Sequence, residues 1–224
     1  EDGSVTLTSG QLEGLTITPA ANSDADFNLA ITATSTDGTA TATTTATLPV
    51  TVAAVADTPT LEVSAASGDE DTAVTLDIAS ALTDTDGSEV LSVTIDGVPE
   101  GAVLSAGTVN LDGSVTLTPG QLAGLTITPP ADSDADFDLS IAATSTDGTD
   151  TATTTAAVPV TVAAIADAPT LDVTAASGGE DTAIALDIAS ALTDTDGSEV
   201  LSVTIDGIPE AAVLSAGTVN LDGS

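Results

Sequence analysis

Carboxylates are the only ionisable side chains in this sequence: 35 Asp and Glu stand against no Lys, Arg, His, Cys or Tyr in 224 residues. They gather in short loops, Asp69-Glu70-Asp71, Asp84-Thr85-Asp86-Gly87-Ser88-Glu89, Asp132-Ser133-Asp134-Ala135-Asp136 and Asp147-Gly148. Hard oxygen donors at this density suit Ca²⁺, which takes 6–8 oxygens at about 2.3–2.6 Å in flexible geometry. Mg²⁺ asks for stricter octahedral geometry, and Zn²⁺ sites draw on His or Cys, both missing here. The loops are not EF-hands. With Asp84 as the first position, Ile95 falls where the bidentate Glu belongs; counting from Asp132, Phe137 takes the invariant Gly position. A single Asp-x-Asp-Gly is ordinary turn chemistry. Only the recurrence of such clusters gives them weight.

The same composition removes several classes of function. Without a basic side chain nothing neutralises a phosphate backbone, so nucleic acid is excluded as a partner and an anionic membrane surface is disfavoured. The counter-charge to a net −35 must come from solution, as cations. Disorder is the alternative for so acidic a chain, but 42% hydrophobic content and a regular apolar pattern argue for folding with cations present. No disulfide can form, and no apolar run approaches the roughly 18 residues of a membrane span. The sequence opens at Glu1 in mid-pattern, with no signal-peptide pattern or initiating Met, and is expected to be a piece of something longer.

The elements that must position these carboxylates come in repeats. Residues 57–114 recur as 167–224 with eight differences in 58 positions, and residues 2–56 recur as 112–166 with eleven in 55. Both pairings have an offset of 110 residues, which is one domain per repeat and not a solenoid period. Boundaries fall at the Pro-bearing links Ala56-Asp57-Thr58-Pro59 and Ala166-Asp167-Ala168-Pro169. One complete domain then spans 57–166, preceded by the C-terminal half of a copy (1–56) and followed by the N-terminal half of another (167–224).

Inside the complete domain the apolar period is two. Val74, Leu76 and Ile78 alternate with polar residues, as do Leu91, Val93 and Ile95, then Phe137, Leu139 and Ile141, then Val158, Val160 and Val162. Alternation of this kind, with abundant Thr and Val, predicts strands with one face buried. Asp112-Gly113 predicts a tight hairpin, and 119–124 a single helical turn. About seven strands in 110 residues predict an all-β, immunoglobulin-like sandwich. Its core is aliphatic, because Phe27 and Phe137 are the only aromatics. Eighteen acidic residues between Asp57 and Ala166 predict marginal stability without bound cations.

Strand parity then sorts the loops between two poles. Counting from the entry places Glu70 and Asp71 at the C-terminal pole and Asp84, Asp86 and Glu89 at the N-terminal one. Counting back from the exit places Asp147 at the N-terminal pole and Asp134 and Asp136 at the other. Stacked domains thus predict one cluster of Asp24, Asp26, Asp57, Asp84, Asp86, Glu89 and Asp147 at the first junction. The second collects Glu70, Asp71, Asp134, Asp136, Asp167, Asp194, Asp196 and Glu199. Glu180 and Asp181, the second copies of Glu70 and Asp71, complete the metal-ligand candidates. Asp69 becomes Gly179 in the second copy and is left out; Asp77, Asp96, Asp138 and Asp150 sit in or beside strands and read as solvated.

The linker Ala-Asp-Ala-Pro-Thr, the Glu-Asp-Thr after the first strand, Asp-Thr-Asp-Gly-Ser-Glu and Gly-Leu-Thr-Ile-Thr-Pro-Pro-Ala-Asp-Ser-Asp together resemble the bacterial cadherin-like repeats of RTX-type giant adhesins. The resemblance covers the whole chain. It implies tandem extender domains stiffened by interdomain Ca²⁺, export by type I secretion to the cell surface, and a role in adhesion or biofilm formation. It also implies as foremost ligands Asp57 and Asp167, Asp84 and Asp86 with Asp194 and Asp196, and Glu70 with Glu180. Ala56 and Ala166 depart from the pattern, standing where Asn often precedes the linker Asp.

Two rival functions are weaker. Catalysis would have to rest on carboxylates or Ser/Thr alone, with no His, Cys, Trp or Tyr to help, so an enzyme is not expected. The Thr-rich stretches 39–47 and 149–155 could instead present a hydroxyl face to carbohydrate or ice, although exposed Thr is common on strands. The partners expected are calcium ions, neighbouring repeats, and further copies joining head to tail through the cut ends.

Overall fold

The structure, a computed structural model, describes residues 3–194 and 196–218, so the outermost ends of the two flanking segments lie outside it. The described chain is all-β with several sheets and no α-helix. Strands β1 (Phe27–Asp37) and β2 (Ala40–Val50) form a long antiparallel pair in the first segment. The middle segment contains β3 (Thr60–Val63), β4 (Ala66–Asp69), β5 (Val74–Thr75), β6 (Ile78–Ala81), β7 (Val90–Asp96) and β8 (Val103–Leu104). It continues with β9 (Thr108–Val109), β10 (Val115–Leu117), β11 (Thr126–Thr128), β12 (Phe137–Asp147) and β13 (Asp150–Ala163). A last pair, β14 (Thr170–Val173) and β15 (Ile188–Ala191), follows the second linker.

In the middle segment six strands form one sheet in the order β4-β13-β12-β7-β10-β9, with β4 parallel to β13 and the others antiparallel. Opposite it lie β5-β11-β8 and the pair β3-β6. The expected seven strands appear as eleven segments from β3 to β13, most of two to four residues, with β12 and β13 running 11 and 14. The reason is a change of partner. β3 pairs with β6, but three residues later β4 pairs with β13. Residues 74–81 likewise serve β11 first, extended by a Leu76 N–H donated to the Leu125 carbonyl (2.9 Å), and β3 afterwards.

Period-two alternation builds the core. Leu91, Val93 and Ile95 on β7, Leu139, Ile141 and Ala143 on β12, and Val158, Val160 and Val162 on β13 all turn to one side. There they meet Val74, Leu76, Ile78, Leu125 and Ile127 in a single aliphatic cluster. Each fully buried Val, Leu or Ile contributes about 1.5–3 kcal/mol of hydrophobic stabilisation. Phe137 packs at the margin of the cluster, not at its centre.

Two local expectations meet different outcomes. Residues Pro119–Gln121 form a 3₁₀ turn, closed by the Thr118 N–H donating to Gln121 Oε1 (2.8 Å). The hairpin at Asp112-Gly113 exists but is looser than a two-residue turn. Pairing stops at Val109 opposite Val115, and the Asn110 N–H reaches the Ser114 carbonyl at 2.8 Å. Asn110 Nδ2 donates to Ser114 Oγ and Thr116 Oγ1, while Asp112 accepts from Ser114, so side chains satisfy the loop and the ladder ends early. Leu111 is left in solvent.

Candidate metal centre

Both Pro-bearing linkers are gripped by carboxylates. At the first, the Asp57 N–H donates to Glu89 Oε1 (2.5 Å) and the Ala56 N–H to Asp150 Oδ2 (3.0 Å). At the second, the Asp167 N–H donates to Glu199 Oε1 (2.5 Å) and the Ile165 N–H to Glu70 Oε1 (2.6 Å). Hydroxyls add to the hold: Thr83 donates to the Thr58 carbonyl (3.0 Å) and Thr154 to the Pro59 carbonyl (2.7 Å).

The second acidic loop is built on nested side-chain turns. Asp84 Oδ1 accepts from the Asp86 N–H and Asp86 Oδ1 from the Ser88 N–H, both at 2.8 Å. Asp194 and Asp196 repeat this with Ser198. The result buries Asp84 and Glu89 against the linker. Carboxylate oxygens of Asp57, Asp84 and Glu89 lie within 4.8 Å of one another. Asp147 is buried at the same pole. Its pKa is raised, by burial first and then by Asp24, Glu89 and Asp86, with a Val55 backbone hydrogen bond working the other way. Asp24 comes from the first segment, so this pole gathers acids from both sides of the linker.

At the other pole Asp71 and Asp132 both adopt left-handed backbone, φ 57° and 56°, a conformation Asp tolerates better than most residues. The Asp132 N–H donates to Asp71 Oδ1 (3.0 Å), and oxygens of Asp71, Asp132 and Asp167 lie within 4.8 Å of one another. The pKa of Asp132 is raised by burial, then by Asp71, Asp194, Asp167 and Asp196. A cleft of about 530 Å³ beside this cluster is lined by Glu70, Asp134, Asp167 and Glu199 among others.

Among the described residues, the carboxylate oxygens Glu70 Oε2, Glu89 Oε2 and Glu199 Oε2 in these two places are buried and find no hydrogen-bond partner. Each belongs to a side chain whose other oxygen holds a backbone N–H in or directly before a linker. Leaving a buried carboxylate oxygen unmatched is costly, more than the 1–3 kcal/mol typical of a neutral group. All-oxygen donors, several of them preorganised by backbone bonds, fit a hard divalent cation.

The structure thus places Asp57, Asp84, Glu89, Asp86, Asp147 and Asp24 at one pole, and Glu70, Asp71, Asp134, Asp167, Asp194, Asp196 and Glu199 at the other. Asp26 and Asp136 are used differently. Each accepts a backbone N–H of the following strand region, Val52 and Val162 respectively, at 2.8 Å. Glu180 and Asp181 lie exposed and join no such group among the described residues. Sequence reasoning passed over Asp132, which sits in the second cluster, and Asp150, which binds the linker. The signal for Asp132 was its counterpart Asn22, since an Asp/Asn pair at one loop position marks left-handed backbone. Asp150 had none, because Ala40 stands in its place.

Comparison with protein families, with curated proteins and with solved structures finds no match.

Proposed function

We propose that the chain is a stretch of tandem immunoglobulin-like sandwiches that serves as an extracellular spacer, its junctions stiffened by Ca²⁺. The observation that carries this reading is the meeting of linker, preceding and following acids around buried carboxylate oxygens that lack a partner. The two clusters are two halves of one composite site. Asp57 joins the acids of the repeat it enters, and its counterpart Asp167 joins those of the repeat it leaves. The linker Asp is the shared vertex.

Without the cation, carboxylates on both sides of each linker repel, and the two units swing. With it, ligands drawn from two units fix their angle and turn the array into a rod, each unit adding roughly 35–45 Å from strands of about ten residues at about 3.3 Å each. Adhesion, secretion to a bacterial surface and a part in biofilm rest on the resemblance to adhesin extender repeats. Catalysis has no place in this reading. Calorimetric titration of the chelated chain at about 0.15 M NaCl tests it. Saturable Ca²⁺ binding that outcompetes Mg²⁺ and weakens in Asp167→Ala is expected; no saturable heat with Ca²⁺ would refute it.

A second reading draws on the outward face of the six-stranded sheet, where Thr144 lies opposite Thr153, their hydroxyls 3.0 Å apart, and Thr146 lies opposite Thr151. Such an array suits carbohydrate or ice. Thr151→Val with Thr153→Val should abolish ice-recrystallisation inhibition or sugar retention on that reading, and leave calcium binding intact.

A further inference from the structure

The chain enters and leaves the middle segment along two neighbouring runs. Residues 54–70 lie beside residues 148–165, both heading the same way, in a register that barely changes from one end to the other. It begins before the linker Asp, where a Cβ on Gly148 would lie 3.4 Å from the Ala54 Cβ. The Ala56 N–H then donates to Asp150 Oδ2, 94 residues on, and Thr154 Oγ1 to the Pro59 carbonyl at a separation of 95 (2.7 Å). The parallel ladder of β4 on β13 keeps the register, from Ala66↔Val160 to Asp69↔Ala163. At the far end the Glu70 N–H donates to the Ala163 carbonyl (3.1 Å), and the Ile165 N–H to Glu70 Oε1, again 95 residues apart. In between, β3 pairs with β6, and β4 takes up the register again.

The direction of the two runs decides how they meet tension. Residue 54 is where the preceding chain arrives and residue 165 where the following chain departs. These points lie at opposite ends of the paired runs, which are about 55 Å long at about 3.3 Å per residue. Pulling the ends of the chain apart therefore slides one run along the other. Every bond between them is loaded at once, whereas a pull on both runs from one end opens the bonds one after another. β13 is tied to β12 along the length of β12, and β4 is the edge strand of its sheet. Among the backbone ladders of residues 54–70, only the short β3–β6 pair resists sliding alongside this seam. Residues 71–147 lie between the two runs in sequence and stay out of the load path while the seam holds.

We propose that this parallel seam is the tension-bearing element of the chain, so that the protein transmits pulling force as well as spanning a distance. The preceding linker belongs to it: residues 54 and 56 rest on the turn between β12 and β13, so load enters the seam before the boundary at Asp57. Forced unfolding follows the barrier to opening and not equilibrium stability, so bonds in the seam matter more under force than equal bonds elsewhere. The inference rests on strand direction and register, not on the calcium reading.

The chain has no cysteine, so attachment points can be placed at will. Cysteines appended at the two ends load the seam in shear. A cysteine appended at the first end, combined with Thr149→Cys in the exposed turn, loads the same bonds from one end only. In single-molecule stretching the end-to-end pull should show an event that releases about 110 residues, a gain of about 330 Å at about 3.5 Å per residue. Its rupture force should be at least about twice that of the one-ended pull. Asp150→Ala with Thr154→Val removes two side-chain bonds of the seam and should lower the end-to-end force. Asn110→Ala removes two bonds beside β9, at the opposite edge of the sheet, and should lower Tm while leaving that force unchanged. Equal forces in the two directions, or forces that follow Tm across the variants, overturn the proposal. Run with Ca²⁺ and repeated with chelator, the comparison turns on the direction of pull, so its failure leaves the calcium reading untouched.

Discussion

Carboxylates in this chain fall into groups with opposite electrostatic habits. The pKa values of Asp132 and Asp147 are raised, by burial first and by neighbouring acids next. A carboxyl whose folded pKa exceeds its unfolded one adds stability that is complete below the unfolded value and is lost as pH rises through the folded value. Asp86, Asp112 and Asp196 are lowered, chiefly by hydrogen bonds from Ser88, Ser114 and Ser198. Their contribution is present above the unfolded value and is lost as pH falls through the folded one. In chelator, Asp147→Asn should therefore flatten the loss of Tm as pH rises above the ordinary carboxylate value, whereas Asp86→Asn should flatten the loss as pH falls below it. Tm profiles against pH check both signs. Asp167→Ala tests the shared vertex. At a free Ca²⁺ concentration about a hundredfold above Kd, a lost site removes about 2.7 kcal/mol of calcium-dependent stability, read as a smaller Tm gain than in the unsubstituted chain.

Strands in the middle segment are held by packing across the core, so cost follows burial. Ile127→Ala should destabilise by about 2–5 kcal/mol in chemical denaturation. Gly97 turns the chain after β7 at φ +81°, and a Cβ there would lie 2.7 Å from the Asp138 carbonyl oxygen. Gly97→Ala should destabilise by more than the roughly 0.4–1 kcal/mol that the same change gains at an unstrained site, because the backbone oxygen cannot yield as a side chain does. Much of this element pattern was legible in the sequence. Val74–Leu76–Ile78, the β7 run and the β12 run declare themselves by period two, and their buried sides follow. The division of the first strand into β3 and β4 was not legible, since the partner exchange depends on where β13 passes in space. Nor was the loose hairpin at Asn110, where side-chain hydrogen bonds win over the turn type that Asp-Gly favours.

At the scale of the whole molecule, loop parity was enough to bring Glu70 and Asp71 to one linker and Asp84, Glu89 and Asp147 to the other. Finer assignment within a loop failed, because Asp132, Asp134 and Asp136 alternate in sequence and only backbone geometry decides which one faces the linker. On the proposed reading, the repeat, the acid-only charge and the gripped linkers make the junction the functional unit, with each 110-residue stretch as the spacer between junctions. The measurement that bears on this most directly is thermal unfolding of the chain, paired with small-angle scattering, first with calcium and then with excess chelator. Calcium-held junctions predict a large rise in Tm and a longer, stiffer particle with the ion present. Superimposable melting and scattering curves in the two conditions would contradict them and leave the acidic loops as solvated turns on a flexible spacer.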